Sequence, residues 1–149
     1  MADATESRTV FTLEAVNALL PTLQPLVAAQ MDRRGAIDER VAELGKLLGT
    51  SSPPLALADD DASPVRDLKR DLQTRIARYQ QAWREVEATG AVLKDPRMGL
   101  LDFYGRVDGK LVWLCWRFGE EAVTHFHALD EGFGGRKPIE STMRRRHLN

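Results

Sequence analysis

The sequence predicts an α+β fold: a long antiparallel helical hairpin packed with a small antiparallel β-sheet of two to three strands. Apolar residues recur at alternating steps of three and four through most of residues 11–90, which is typical of amphipathic helices. Two β-prone runs then flank Asp108-Gly109, a dipeptide that favours a tight hairpin turn because both residues tolerate positive φ. We therefore expect the helices first and the strands after them.

The composition is typical of one domain, spanning residues 1–149. Hydrophobic residues make up 43% of the chain and charged residues 29%, and the formal net charge of -1 gives no field that attracts nucleic acid or anionic lipid. No apolar run reaches the roughly 20 residues that cross a bilayer. The acidic start lacks the regions of a signal peptide, and the lone cysteine excludes an internal disulfide. We expect a soluble, cytoplasmic protein with no membrane partner.

The first helix is expected to follow a disordered arm of residues 1–10. Thr12 is a suitable N-cap, because its hydroxyl can accept a hydrogen bond from an early backbone amide. Pro21 and Pro25 interrupt the early pattern, and proline inside a helix removes a hydrogen bond. We therefore expect a short start, a kink near Pro21 and a long helix to about Leu48.

A flexible linker of residues 50–63 separates the two helices. Its acidic run, Asp59–Asp61, lacks the spaced oxygen ligands of a calcium loop, so we expect a solvated segment. Ser63-Pro64 is a typical helix start, and similar helix lengths favour an antiparallel hairpin. The charged outer faces of both helices, which include Lys69, are expected to be solvated.

Residues 91–139 are predicted to form the small sheet and a loop. Leu100–Val107 and Lys110–Arg117 pair across the Asp-Gly turn, and Ala122–Leu129 is expected to add a third strand. Side chains alternate between the two faces of a strand, so one face is apolar and should pack on the helices. That apolar face carries Leu101, Phe103, Val112, Leu114, Trp116 and Phe118.

The other face of this hairpin is mixed, because the two-residue turn places Asp102 opposite Cys115. We expect a functional or ion-pair cluster there, formed by Asp102, Cys115, Arg117, Glu120, His127 and Arg136. The interpretation we favour is a polar network in which bidentate arginine–carboxylate bonds tie the 132–139 loop to the sheet. In one alternative, Arg117 and Arg136 bind an anionic ligand. In the other, a metal ion is bound by side chains that commonly act as metal ligands, namely His127, His125, Cys115 and Glu120.

Motifs over nearly the whole chain also carry a family resemblance. They are Phe11–Pro21, Val92–Asp95, Gly99–Phe103, Leu114–Glu120, Phe126-His127 and Gly132–Ile139. With its Leu-Cys-Trp-x-x-Gly-Glu and Gly-Phe-x-Gly-Arg patterns, the chain resembles an uncharacterised bacterial family, domain of unknown function twenty-two-oh-three. His127 lies within the resemblance and His125 does not. The resemblance supports the architecture and implies no activity.

The sequence alone does not decide whether the protein is an enzyme. The hypothesis we favour is a non-enzymatic binding or interaction module that forms a homodimer through its helices, with any further protein partner unknown. The alternative is a small metal- or anion-binding enzyme that uses Asp102, Cys115, Glu120, His127 and Arg136. Nucleic-acid binding is the weakest hypothesis, and it rests on the second helix and on the basic tail of residues 140–149. Apart from a metal, no cofactor is expected.

Overall fold

The structure, a computed structural model, describes residues 9–140 and confirms the α+β class. Two helices precede five strands, with bounds α1 Leu13–Leu48, α2 Ser63–Glu87, β1 Val92–Asp95, β2 Leu100–Val107, β3 Lys110–Arg117, β4 His125–His127 and β5 Lys137–Pro138. A single 3-10 turn, Phe133–Gly135, lies between the last two strands. Nearly all of the predicted N-terminal arm and basic tail lies outside the described residues. Neither described helix is long and apolar enough to cross a membrane.

The chain divides into two compact units. Of the described residues, 9–27 and 86–140 form the first, here called the sheet unit. Ala28–Glu85 form the second, the helical unit. Each unit has its own buried apolar side chains, so each is described by itself.

The sheet is antiparallel and has five strands in the order β1-β2-β3-β4-β5, so the prediction of two to three strands was wrong. The two edge strands were missed because β1 has four residues and β5 has two, too few for an alternating pattern to be recognised. The expected third strand corresponds to β4, although β4 covers only His125–His127.

The turn between β2 and β3 has the predicted conformation. Asp108 has a φ of 52° and Gly109 a φ of 76°, so both occupy the left-handed region that a type I′ hairpin turn requires. This turn sets the register of β2 and β3, in which Asp102 pairs with Cys115 and Val107 pairs with Lys110. Five of the six residues predicted for the apolar face are buried, and Phe118, just beyond β3, is 36% exposed.

The first part of α1 contributes to the sheet unit. The Thr12 hydroxyl accepts a hydrogen bond from the Ala15 amide at 3.1 Å, which confirms the predicted cap. Asn17 Oδ1 accepts from the Val123 amide at 2.7 Å and thereby attaches the helix to the segment before β4. Pro21 and Pro25 lie within the unbroken helix on its exposed side, where water can satisfy the carbonyls they leave unpaired.

The helical unit consists of the rest of α1 packed antiparallel against most of α2. Its core contains Ile37, Leu44, Val65 and Leu72. Lys69 on α2 is buried, with 1% of its surface exposed, so its predicted solvation was wrong. Lys69 Nζ donates to the Ala56 carbonyl at 2.8 Å and to the two carboxylate oxygens of Asp61 at 3.1 and 2.9 Å. The chain between the helices therefore folds over Lys69.

Candidate metal centre

The mixed face of the sheet gathers an acid, a thiol and an imidazole from three neighbouring strands. Asp102 lies on β2, Cys115 on β3 and His127 on β4, and their potential ligand atoms all lie within 4.8 Å of one another. Asp102 and Cys115 face each other in the β2–β3 register, whereas His125 is the residue opposite Cys115 on β4. His127 therefore reaches Asp102 diagonally across β3. We call these three side chains the buried cluster.

Hydrogen bonds fix the orientation of the imidazole. His127 Nε2 lies 2.9 Å from Asp102 Oδ2, and His127 Nδ1 lies 3.0 Å from the Ala128 carbonyl oxygen. A carbonyl oxygen can only accept, so Nδ1 carries a proton and donates it to Ala128. The hydrogen bond on the other side of the ring then needs one more proton, shared between Nε2 and the Asp102 carboxyl group.

One oxygen of this carboxyl group lacks a partner. Asp102 is 1% exposed, yet its Oδ1 has no hydrogen bond to any described residue. Within residues 9–140, the other buried side-chain atom without a hydrogen-bond partner is Trp83 Nε1, a neutral donor. Leaving a buried polar atom unpaired costs about 1–3 kcal/mol, and more when the group is charged. The cluster is thus an incompletely satisfied site made of three metal-ligand types.

Burial also controls the protonation of the cluster. Loss of hydration raises the pKa of Asp102 above its ordinary value, in spite of the opposing effects of His127 and of the nearby Cys115 thiol. Burial, and after it the charge of Asp102, raises the pKa of the Cys115 thiol to about 12. The thiol is therefore protonated at neutral pH when no ion is bound. This argues against Cys115 as a catalytic nucleophile.

An ion pair lies beside the cluster. Arg136 Nη1 and Nη2 donate to the two oxygens of Glu120 at 3.1 and 2.9 Å, and Glu120 Oε1 also accepts from the Arg117 amide at 2.7 Å. Burial alone would raise the pKa of Glu120, but the Arg136 guanidinium and the Arg117 amide outweigh it and lower the pKa. The pair ties the loop after β4 to the end of β3, and Arg136 Nη1 lies 4.0 Å from Cys115 Sγ.

The residues predicted for this face therefore fall into three groups. Asp102, Cys115 and His127 converge. Glu120 and Arg136 form the ion pair beside them. The remaining two take other positions: the Arg117 guanidinium lies 5.9 Å from the centre of the Phe133 ring, and His125 Nδ1 lies 2.8 Å from Thr124 Oγ1.

Sequence reasoning missed one charged neighbour of this face. Lys94 on β1 has its Nζ 3.9 Å from the centre of a Trp113 ring. That ring stacks on Tyr104, with 4.0 Å between the centroids. Because β1 was not predicted, nothing in the sequence placed Lys94 on the same face as Asp102. The positive charge of Lys94 slightly lowers the pKa of Asp102.

Comparisons with known proteins give a family and no further relative. A family model described as "Uncharacterized conserved protein (DUF2203)" matches residues 9–139, a span that contains the whole buried cluster and the ion pair. Neither the curated proteins nor the solved structures contain a match. The description of the family states no activity, so any function has to be argued from the site.

Proposed function

This chain belongs to the DUF2203 family of uncharacterized conserved proteins, and from its buried cluster we propose that it is a non-enzymatic metal-binding module. Asp102, Cys115 and His127 hold one divalent transition-metal ion, for which Zn²⁺ is the best fit. The observation that carries the proposal is the unpartnered Oδ1 of Asp102, which lies within a set of three ligand types.

The charge of the ligand set favours a divalent ion. When the ion binds, Asp102 and Cys115 each contribute one negative charge and His127 is neutral. Two negative charges compensate a 2+ ion, so the complete site is neutral, as burial requires. A mixed set of one oxygen, one sulfur and one nitrogen ligand is typical of Zn²⁺ and unlike the all-oxygen sites of Ca²⁺ or Mg²⁺.

The geometry is close to that of a zinc site. Ligand atoms around a tetrahedral Zn²⁺ are about 3.3–3.8 Å apart, given bond lengths of about 2.0–2.3 Å. The corresponding atoms here lie within 4.8 Å of one another, so they have to approach by about 1–1.5 Å at most to bind one ion together. The Ala128 carbonyl already fixes the tautomer that leaves His127 Nε2 as the ligand atom.

The neighbouring ion pair supports the same proposal. Arg136 is bound to Glu120 and also directs Nη1 toward Cys115 Sγ at 4.0 Å. A guanidinium beside the sulfur favours the thiolate form that metal binding needs, and it partly opposes the effect of burial on the pKa of Cys115. Arg136 therefore acts on the ion through Cys115 and is not itself a ligand.

Burial favours binding over catalysis. Three protein ligands leave the fourth position of a tetrahedral zinc ion to a water molecule, as in catalytic sites, but the three ligand residues here are 0–2% exposed, so a substrate has no access to that position. The alternative of a small metal-dependent enzyme on the same residues would need access that these side chains do not offer. We therefore assign the ion a structural role, in which it links β2, β3 and β4 of the sheet.

Zinc titration of metal-free protein tests the proposal. In competition with a chromophoric chelator, we expect one Zn²⁺ per chain to bind with submicromolar affinity. Cys115→Ala and His127→Ala should each weaken binding on the order of a hundredfold or more. His125→Ala is the matched control, because His125 is on the same strand and outside the cluster, and it should leave the affinity unchanged. Binding that is absent in the wild type, or lost equally in His125→Ala, would overturn the proposal.

A further inference from the structure

The helical unit contains a cleft of about 310 Å³ lined mainly by arginine. Its walls are Arg33 of α1 and four residues of α2, which are Asp71, Thr74, Arg75 and Arg78. This volume lies at the lower end of the range for small-molecule sites, about 300–1,000 Å³. The cleft belongs to Ala28–Glu85 only, so it is independent of the metal centre in the other unit.

The acidic residue of the cleft does not cancel its positive charge. Asp71 Oδ2 accepts from Arg75 Nε at 2.8 Å and forms an ion pair with Arg40, whose Nε lies 2.8 Å away. The hydrogen bond from Arg75 is the main reason that the pKa of Asp71 is lowered, so the carboxylate stays ionised. Two guanidinium groups therefore share one carboxylate. Arg78 has a carboxylate partner outside the cleft, because its Nη1 lies 3.5 Å from Glu85 Oε1 on the exposed surface of α2. Arg33 is therefore the guanidinium of the cleft whose charge remains uncompensated.

Arg33 is held in place by a neutral group. Its Nη1 donates to Gln30 Oε1 at 2.8 Å, and Gln30 is fully buried, with its Nε2 donating to the Tyr79 carbonyl at 2.8 Å. No carboxylate of the described chain is paired with Arg33. A buried amide thus orients this guanidinium without neutralising it, which leaves its other N–H groups available to a ligand.

We propose that this cleft binds a small ligand bearing a phosphate-type oxyanion, such as a phosphate monoester or a diphosphate. Arg33 supplies the uncompensated charge, and Arg75 and Arg78 contribute the N–H groups that Asp71 and Glu85 do not use. Planar guanidinium groups match the oxygens of a phosphate in pairs. The size of the cleft favours a small molecule over a nucleic-acid backbone.

Calorimetric titration with sodium pyrophosphate tests this site. The titration uses the full chain at physiological ionic strength with a chelator present, so that the metal centre takes no part. We expect saturable 1:1 binding that Arg33→Gln weakens about tenfold or more, since one charged bidentate contact is lost. Arg70→Gln is the matched control, because Arg70 is exposed on α2 and does not line the cleft. It should bind as the wild type does.

Two further measurements make the result decisive. Circular dichroism and thermal unfolding of Arg33→Gln should match the wild type, so that weaker binding is assigned to the lost contact. A short DNA duplex, titrated in parallel, should bind more weakly than pyrophosphate. No saturable pyrophosphate binding, equal losses in Arg33→Gln and Arg70→Gln, or preference for the duplex would each overturn the proposal.

Discussion

Each of the two units contains a buried ionisable side chain, and the two differ in how completely their polar atoms are satisfied. Lys69 in the helical unit has three N–H groups and three acceptors, which are the Ala56 carbonyl and both oxygens of Asp61. Asp102 in the sheet unit has one oxygen engaged by His127 and one without a partner. A complete set of partners is typical of a structural role, whereas an incomplete set at metal-ligand residues indicates a binding site.

The largest effect is expected at the incomplete site. Asp102→Asn keeps the shape of the side chain but removes its charge, so Zn²⁺ affinity should fall on the order of a thousandfold. In the presence of a chelator, the same variant should unfold at a temperature within about 2 °C of the wild type, or above it, because a poorly solvated carboxylate is gone. Chelator competition and thermal unfolding measure the two quantities. A large loss of stability in the chelated protein would make Asp102 structural, like Lys69.

Proton release should be the next largest effect. Metal binding displaces one proton from Cys115 and the one shared between Asp102 and His127. While that shared proton is present, Zn²⁺ affinity should rise about a hundredfold per pH unit, since two protons compete with the ion. Calorimetry in buffers of different ionisation enthalpy counts the protons released. We expect about two protons per ion at pH 6, and a release of one or fewer would contradict the assigned protonation states.

At the complete site we expect the opposite pattern. Lys69→Met removes the donor to Ala56 and Asp61 and leaves buried acceptors unpaired, so the melting temperature should fall by about 5 °C or more. Zn²⁺ affinity should stay within about twofold of the wild type, because Lys69 belongs to the other unit. Differential scanning calorimetry, combined with the zinc titration, separates the two readouts. Unchanged stability would mean that the buried ion pair contributes no more than a methionine would.

The smallest expected effect concerns the ion pair beside the cluster. Glu120→Gln should lower the free energy of unfolding by about 1 kcal/mol at pH 7, since the pair with Arg136 is partly exposed. The pKa of Glu120 is lowered in the folded state, so this contribution is present at neutral pH. It should shrink once the pH falls below the ordinary value of 4.5, and it should vanish below the lowered pKa, where the folded carboxylate is protonated as well. Urea unfolding at pH 7 and pH 3.5 tests it, and a difference no smaller at pH 3.5 than at pH 7 would exclude the ion pair as its cause.

The sequence identified all three residues of the buried cluster as candidates, but a local rule accounts for only one of the contacts among them. The pairing of Asp102 with Cys115 follows from the two-residue Asp108-Gly109 turn, which fixes the register of β2 and β3. No such rule places His127 near Asp102, because the register of β4 depends on a longer connection after β3. That connection is held by tertiary contacts such as the bond between Asn17 and the Val123 amide, which no local pattern encodes.

The burial of Lys69 was beyond prediction for a related reason. Lys69 lies four residues after Val65 and three before Leu72, so its spacing matches the buried face of α2, but its charge favours a solvated side chain. Only the path of the chain between the helices supplies the partners that allow its burial. By contrast, the cap at Thr12 was predictable because its hydrogen bond spans three residues. Local chemistry thus identified the helix starts and the hairpin, while both buried polar sites depend on contacts distant in sequence.

The central claim is that Asp102, Cys115 and His127 together bind one metal ion. X-ray absorption at the zinc K-edge of the zinc-loaded protein tests it most directly, because it reports which elements surround the ion. We expect one sulfur at about 2.3 Å and nitrogen or oxygen ligands at about 2.0–2.1 Å, with the sulfur missing in Cys115→Ala. A wild-type spectrum without sulfur would contradict the claim.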